Sequence, residues 1–181
     1  SWSHDGLRGE GEPPTQLGGY RGKQLLLVSS APCLWGDLLQ VPDWYGDIMA
    51  VNWSYLFVFL NRDITHLASL HSENIDPLIQ LRNQAVHAQT HSNKAVAGVN
   101  HVWNFCPNNG TSGLFAIRVA LALGYSKIIL AGLPFDNSGH LFINPHQAPP
   151  SWADYGTCSH DLMAWDLVAK IAGDRVRSCS G

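Results

Sequence analysis

The chain has 181 residues, 45% of them hydrophobic and only 14% charged, which excludes intrinsic disorder and allows one domain with a substantial core. A formal net charge of −3 offers no general electrostatic attraction to nucleic acid or to an anionic membrane surface. Four cysteines, Cys33, Cys106, Cys158 and Cys179, lie far apart without a C-x-x-C pair, so reduced thiols and a cytoplasmic location are the expectation. No apolar run approaches the roughly 18 residues of a membrane span.

Residues 1–23 are rich in Gly, Pro and charge and read as an irregular arm, leaving 24–181 as the folded domain. The first strong element is QLLLVSS (24–30), where four large apolar residues in a row predict a strand buried on both faces. Pro32 stops it and can open a helix. DIMAVN (47–52) and THLASL (65–70) predict two further strands with polar carboxyl ends. Asp76 to His87 reads as a helix with Pro77 in its first turn, and a short strand is expected within 95–102.

The clearest unit follows. A turn-rich stretch (108–113) leads into an apolar helix (114–123), which Gly124 caps. A short connection then feeds the buried strand IILAG (128–132), giving half of a βαβ crossover. Residues 134–150 read as a long loop, followed by a helix from Ser159 or Asp161 to about Ala172 and a last strand at 176–179. Strands alternating with helices predict an α/β fold: one Rossmann-like three-layer domain with a mostly parallel sheet.

Ligands of such sheets bind beyond the carboxyl ends of the strands. Here those ends carry Ser29 and Ser30, then Asn52, then His71 and Ser72. The turn Asn109-Gly110-Thr111-Ser112-Gly113 opens a helix whose first N–H groups suit an anion. Hydroxyls, amides and a helix N-terminus match the needs of a ribose and a phosphate. Neither G-x-G-x-x-G nor G-x-x-x-x-G-K-[ST] occurs, which excludes the usual dinucleotide fingerprint and the P-loop.

TSGLFAIRVALALGYSKIILAGLPFDNSG (111–139) resembles the signature of bacterial sialyltransferases of the Campylobacter type, and also that of the related pterin-pyrophosphokinase-like family. LLLVSSAPCLWGDL (25–38) is similar to their first strand and turn, and DIMAVN to their second strand with its nucleotide-contacting asparagine. The resemblance covers about half the chain, in order. It implies a CMP-like ligand held by Ser30, Asn52 and Ser112; the strand end and the helix-opening turn add Ser29, Asn109, Thr111 and Gly113 to the nucleotide-binding candidates, and Asp136 could reach a phosphate through a metal.

The chain also departs from that pattern. Asn109-Gly110 stands where the family has an arginine, Pro134 replaces an acid, and His140 stands in the loop where the family places phosphate-binding tyrosines. His160 lies about one helical turn beyond the place of the family's general base. A histidine with a pKa near neutrality suits acid–base work, which makes His140, His71 and His160 the catalytic candidates.

Three readings stay open. The first is a metal-independent, glycosyltransferase-like transferase using a nucleotide sugar, CMP-linked by the resemblance and needing no cofactor. The second is a Mg²⁺-dependent pyrophosphokinase or nucleotidyl transferase, for which Asp136 is the carboxylate in place. The third is a non-catalytic nucleotide-binding protein. The acceptor is unspecified, and seven tryptophans leave room for an interface between copies of the chain.

Overall fold

The computed structural model describes residues 2–5, 15–57, 63–82, 88–105, 110–134, 165–166 and 168–180. Eight strands form one sheet: β1 (Trp2–Asp5), β2 (Gln24–Val28), β3 (Asp47–Val51), β4 (His66–Ala68), β5 (Gln89–Ser92), β6 (His101–Asn104), β7 (Lys127–Ala131) and β8 (Val176–Ser178). Their order across the sheet is β1-β6-β5-β4-β3-β2-β7-β8, and every pairing is parallel. Among the described residues the helices include α1 (Leu34–Leu39), α2 (Ser54–Phe57), α3 (Ile75–Arg82) and α4 (Ser112–Ala122), and residues 168–172 are also helical. The fold is α/β, as the alternation of apolar runs predicts.

The run QLLLV shows why the strands are continuously apolar. Leu25 and Leu27 enter a core with Met49, Val51, Ala68 and the buried side of α4. Leu26 and Val28 enter a second core on the other face, with Ile48, Ala50, Leu67, Leu34 of α1, Tyr55 of α2, and Ile75, Leu78 and Ile79 of α3. Side chains alternate across a strand, so a strand covered on both faces needs large apolar residues at every position. Leu25, Leu26, Leu27 and Val28 are all fully buried. Burying one such side chain stabilises by about 1.5–3 kcal/mol.

α4 is buried from Gly113 through Leu121, which explains its near-lack of amphipathicity. It lies across β2, β3 and β4, with Val168 and Ala172 in the same core. Its C-terminus is closed by Gly124 at φ 86°, whose N–H reaches Leu121 O at 3.0 Å while Tyr125 N–H reaches Ala120 O at 3.3 Å. A left-handed residue there is what a glycine cap provides.

Three expectations need correction. Residues 2–5 are not part of an irregular arm: they form β1, paired in register with β6, and residues 15–20 form a 3-10 helix. The strand expected within 95–102 lies later, as β6 at 101–104, and an unexpected strand, β5 at 89–92, precedes it across the connection 93–100. The polar sequence Gln-Thr-His-Ser of β5 gave no apolar signal, because its buried side chains, Thr90, His91 and Ser92, are polar and satisfied by hydrogen bonds. The first helical residue of α4 is Ser112, so the residue capping it is Thr111. No helix among the described residues is long and apolar enough to cross a membrane.

Candidate functional site

The connections from β2 run towards β3, β4, β5 and β6, whereas β7 lies on the other side of β2 and leads to β8. The chain therefore reverses its direction of travel between β2 and β7, which is where open parallel sheets leave a crevice for ligands. The carboxyl ends of β2, β3, β4 and β7 and the N-terminus of α4 surround this region.

β2 ends in Ser29 and Ser30, both nearly buried. Ser29 N–H bonds Ala131 O at 2.9 Å and Ala31 N–H bonds Gly132 O at 3.0 Å, so the two strands stay joined past their last ladder pair. Gly132 takes φ 65°, and a Cβ there would stand 2.6 Å from Ser29 O. Its N–H donates to Oδ2 of the buried Asp37 at 2.8 Å. Ser180 also donates to that carboxylate oxygen, which ties the end of β8 to α1. Cys33 Sγ lies 3.3 Å from Ser180 Oγ, and burial, above all, pushes both the Cys33 and Cys179 thiols up. Both cysteines are free thiols.

β3 ends in Asn52, which takes φ 52°, the left-handed region that a non-glycine residue enters only when its surroundings hold it there. Three bonds hold it. Its N–H donates to Ala68 O at 3.1 Å, its carbonyl accepts Tyr55 N–H at 3.2 Å, and its side-chain Oδ1 accepts the Ser69 hydroxyl at 2.6 Å. Beneath it, Ser54 Oγ accepts Val51 N–H at 2.9 Å and its hydroxyl faces Val28 O and Val51 O, each at 2.8 Å, locking the end of β3 to the end of β2.

β4 runs into Ser69, Leu70 and His71. Ser69 Oγ also accepts His71 N–H at 3.0 Å, and Leu70 N–H reaches Ser112 Oγ at 3.3 Å. These bonds bring the β3 end, the β4 end and the first residue of α4 together. Thr111 caps α4 through Oγ1, which accepts Leu114 N–H at 3.4 Å. The N–H groups of Ser112 and Gly113 have no intrahelical partner, as the first turn of any helix dictates. Gly113 is buried against Leu133, whose Cδ1 would stand 2.7 Å from a Cβ at that position.

Of the sequence-predicted residues, Asn52, Ser112, Thr111 and Gly113 thus converge on one edge, beside Ser29 and Ser30. His71 shares the edge, but its ring is 65% exposed and lies 3.8 Å from Glu73. Only its backbone enters the cluster. His140, His160, Asn109 and Asp136 lie outside the described residues. Sequence reasoning missed Ser69 and Asp37. Ser69 carried a signal, since a small polar residue closes an apolar strand there just as Ser29 and Asn52 do. Asp37 carried none, because a six-residue helix is too short to show a face. Among the described residues no group of three or more His, Cys, Asp or Glu side chains is arranged to hold a metal ion.

A second polar assembly lies on the α4 face of the sheet, running from Asp47 at the start of β3 to Trp103 near the end of β6. Trp103 Nε1–H donates to His91 Nδ1 at 3.0 Å, His91 Nε2 is 3.0 Å from His66 Nδ1, and His66 Nε2 is 2.8 Å from the Tyr125 hydroxyl. Tyr125 in turn donates to Asp47 Oδ2 at 2.7 Å. Beside them, His101 Nε2 meets Gln89 Oε1 at 2.8 Å. Burial holds His66 down at about 3, helped by the nearby His101 and Lys23. Burial, then the bond to Asp47, pushes the Tyr125 phenol far above its usual range.

No protein-family model matches the chain, and no curated protein matches it. Solved structures do. The chain is similar to the sialyltransferase CstII from Campylobacter jejuni in complex with the substrate analogue CMP-3FNeuAc, with a TM-score of 0.57 and 15% identity over 87% of this chain and 81% of that one. It is also similar to CstII in complex with cytidine-5′-monophosphate, with a TM-score of 0.51 and 15% identity over 87% and 79%. At that identity the likeness establishes a shared fold, the one that the sequence signature of the bacterial sialyltransferases implies.

Proposed function

We propose that the chain binds a CMP-linked nucleotide sugar and acts as a metal-independent, glycosyltransferase-like transferase. The observation that carries this reading is Asn52: a left-handed asparagine at the end of a central strand, clamped through Ser69 and set beside the N-terminus of α4. Strain of that kind persists where the surroundings over-determine it, and it clusters at ligand sites. The complexes of CstII with CMP and with a CMP-sugar analogue support the choice of base.

The Asn52 amide, the Ser112 hydroxyl and the first N–H groups of α4 would hold the nucleotide and stabilise negative charge on the departing phosphate. A sugar phosphate is already a good leaving group, so positioning and such charge stabilisation supply most of the rate. His140 is the proposed acid or base, with His160 as the other candidate. His71 is a weaker one, because its ring faces solvent and Glu73.

That same position of His71 favours a second reading, in which the pocket binds a nucleotide without turning it over. The test is incubation with a CMP-linked sugar, with EDTA or Mg²⁺, following release of CMP. Release in EDTA supports the transferase. A parallel incubation with ATP, in which AMP is released only with Mg²⁺, points to the pyrophosphate-transfer alternative through Asp136, and tight binding of CMP-sugar without release points to the binding protein.

A further inference from the structure

We infer that Ser69 is a positioning residue of this site: its hydroxyl fixes the Asn52 amide as an outward hydrogen-bond donor, so that Asn52 meets an anionic oxygen of its ligand. For the identity of the ligand this rests on the nucleotide reading above, whereas the polarity of Asn52 follows from the bonding alone.

Ser69 is fully buried, and its hydroxyl has two partners. It accepts His71 N–H at 3.0 Å and stands 2.6 Å from Asn52 Oδ1. A hydroxyl has a single proton to give, and the His71 N–H takes one of its lone pairs. With Oδ1 facing Ser69, that proton has an acceptor. With the amide turned over, its NH₂ would face Ser69 Oγ and the buried hydroxyl proton would have none, the costlier arrangement. The carbonyl arm of Asn52 is therefore turned inward and its NH₂ arm is left for a ligand. The backbone cannot swing to compensate, since Ala68 O and Tyr55 N–H pin it on both sides.

Ser112 repeats the arrangement. Its Oγ accepts Leu70 N–H at 3.3 Å, which leaves its hydroxyl proton for an outside acceptor. The first N–H groups of α4 add donors only. Consecutive residues of the β4 end, Ser69 and Leu70, thus engage the acceptor atoms of Asn52 and Ser112 and leave the donors facing out. A surface of donors at a helix N-terminus is complementary to an anionic oxygen, and charge-assisted bonds of this kind are the strong ones.

The experiment measures the CMP dissociation constant by calorimetry for the wild type, Asn52→Ala, Asn52→Asp, Ser69→Ala and the Ser69→Ala/Asn52→Ala double variant, each checked for an unchanged fold by circular dichroism. Ser69→Ala is expected to weaken CMP about tenfold, and to have no further effect once Asn52 is alanine. Asn52→Asp keeps the acceptor towards Ser69 but faces the ligand with a negative charge, so it should bind CMP more weakly than Asn52→Ala does. Equal effects of Ser69→Ala in both backgrounds, or an Asn52→Asp variant that binds as well as wild type, would overturn the inference. A ligand-free arm follows the Asn52 side-chain amide by ¹⁵N relaxation: ordered in the wild type and mobile in Ser69→Ala. If wild type fails to bind CMP, the nucleotide reading falls while the relaxation arm still decides the role of Ser69. A mobile wild-type amide, or one equally ordered without the hydroxyl, would overturn that role.

Discussion

Nδ1 of His66 and Nε2 of His91 stand 3.0 Å apart in the core, and the groups around them fix which nitrogen carries the proton. Trp103 Nε1 can only donate, so His91 Nδ1 accepts and His91 donates from Nε2. His66 then accepts at Nδ1, donates from Nε2 to Tyr125, and Tyr125 donates to Asp47. The hydrogen bonds run in one direction from β6 to the start of β3, and both rings are neutral.

This chain makes stability pH-dependent. The groups facing His66 are His91 from β5, His101 from β6, Tyr125 from the turn after α4, Asp47 from β3, and Tyr20 and Lys23 before β2. The folded-state value of about 3 lies below the ordinary 6.5, so below pH 6.5 the unfolded chain takes up a proton that the folded chain refuses. Stability is therefore full above pH 6.5 and falls towards pH 3, by about 1.4 kcal/mol per pH unit for this one group. Urea unfolding at pH 6.5 and pH 5 should show a loss of about 2 kcal/mol that His66→Gln removes. An unchanged slope in that variant would contradict the assignment.

Tyr125→Phe deletes the hydroxyl that both accepts from His66 and donates to Asp47. It leaves the His66 N–H buried without a partner, at a cost of about 1–3 kcal/mol. Chemical denaturation at pH 7.5 reads this directly. A loss within a few tenths of a kcal/mol would mean that the network relaxes around the missing atom.

Gly132→Ala probes the joint between β2 and β7. The new Cβ would meet a backbone oxygen, Ser29 O, at 2.6 Å, in a left-handed conformation. Gly22 has a similar φ of 79° with nothing within 4 Å of a Cβ, so Gly22→Ala carries the conformational strain alone. The expected losses are about 1 kcal/mol for Gly22→Ala and more than about 2 kcal/mol for Gly132→Ala. Equal losses would show that the β2–β7 joint yields.

The parallel sheet was legible because doubly covered strands need apolar residues at every position, and QLLLV, DIMAV and IILA state this openly. β1 and β5 were not. A four-residue strand holding at most one large apolar side chain has no period to read, and His91 and His66 look polar until each is seen to satisfy the other. The N-terminus of α4 and Asn52 were legible from their places at strand and helix ends. Ser69 showed the same signature, yet the neighbouring His71 drew the reading because a histidine carries more chemistry. Which of the two turns inward depends on the bond to Asn52, and no linear pattern encodes that contact.

The central claim is a nucleotide pocket built on Asn52, and Asn52→Gly tests it most directly. Glycine accepts φ 52° without strain, so this variant loses the amide at no backbone cost, while the buried Ser69 hydroxyl loses its acceptor at about 1–3 kcal/mol. Titration of wild type with CMP to about 100 times its dissociation constant should add about 2.7 kcal/mol of stability, seen as a rise in Tm. The predicted result is that rise in wild type and its loss in Asn52→Gly, each measured against the same protein's own ligand-free Tm. No rise with CMP, or a rise undiminished in Asn52→Gly, would contradict it.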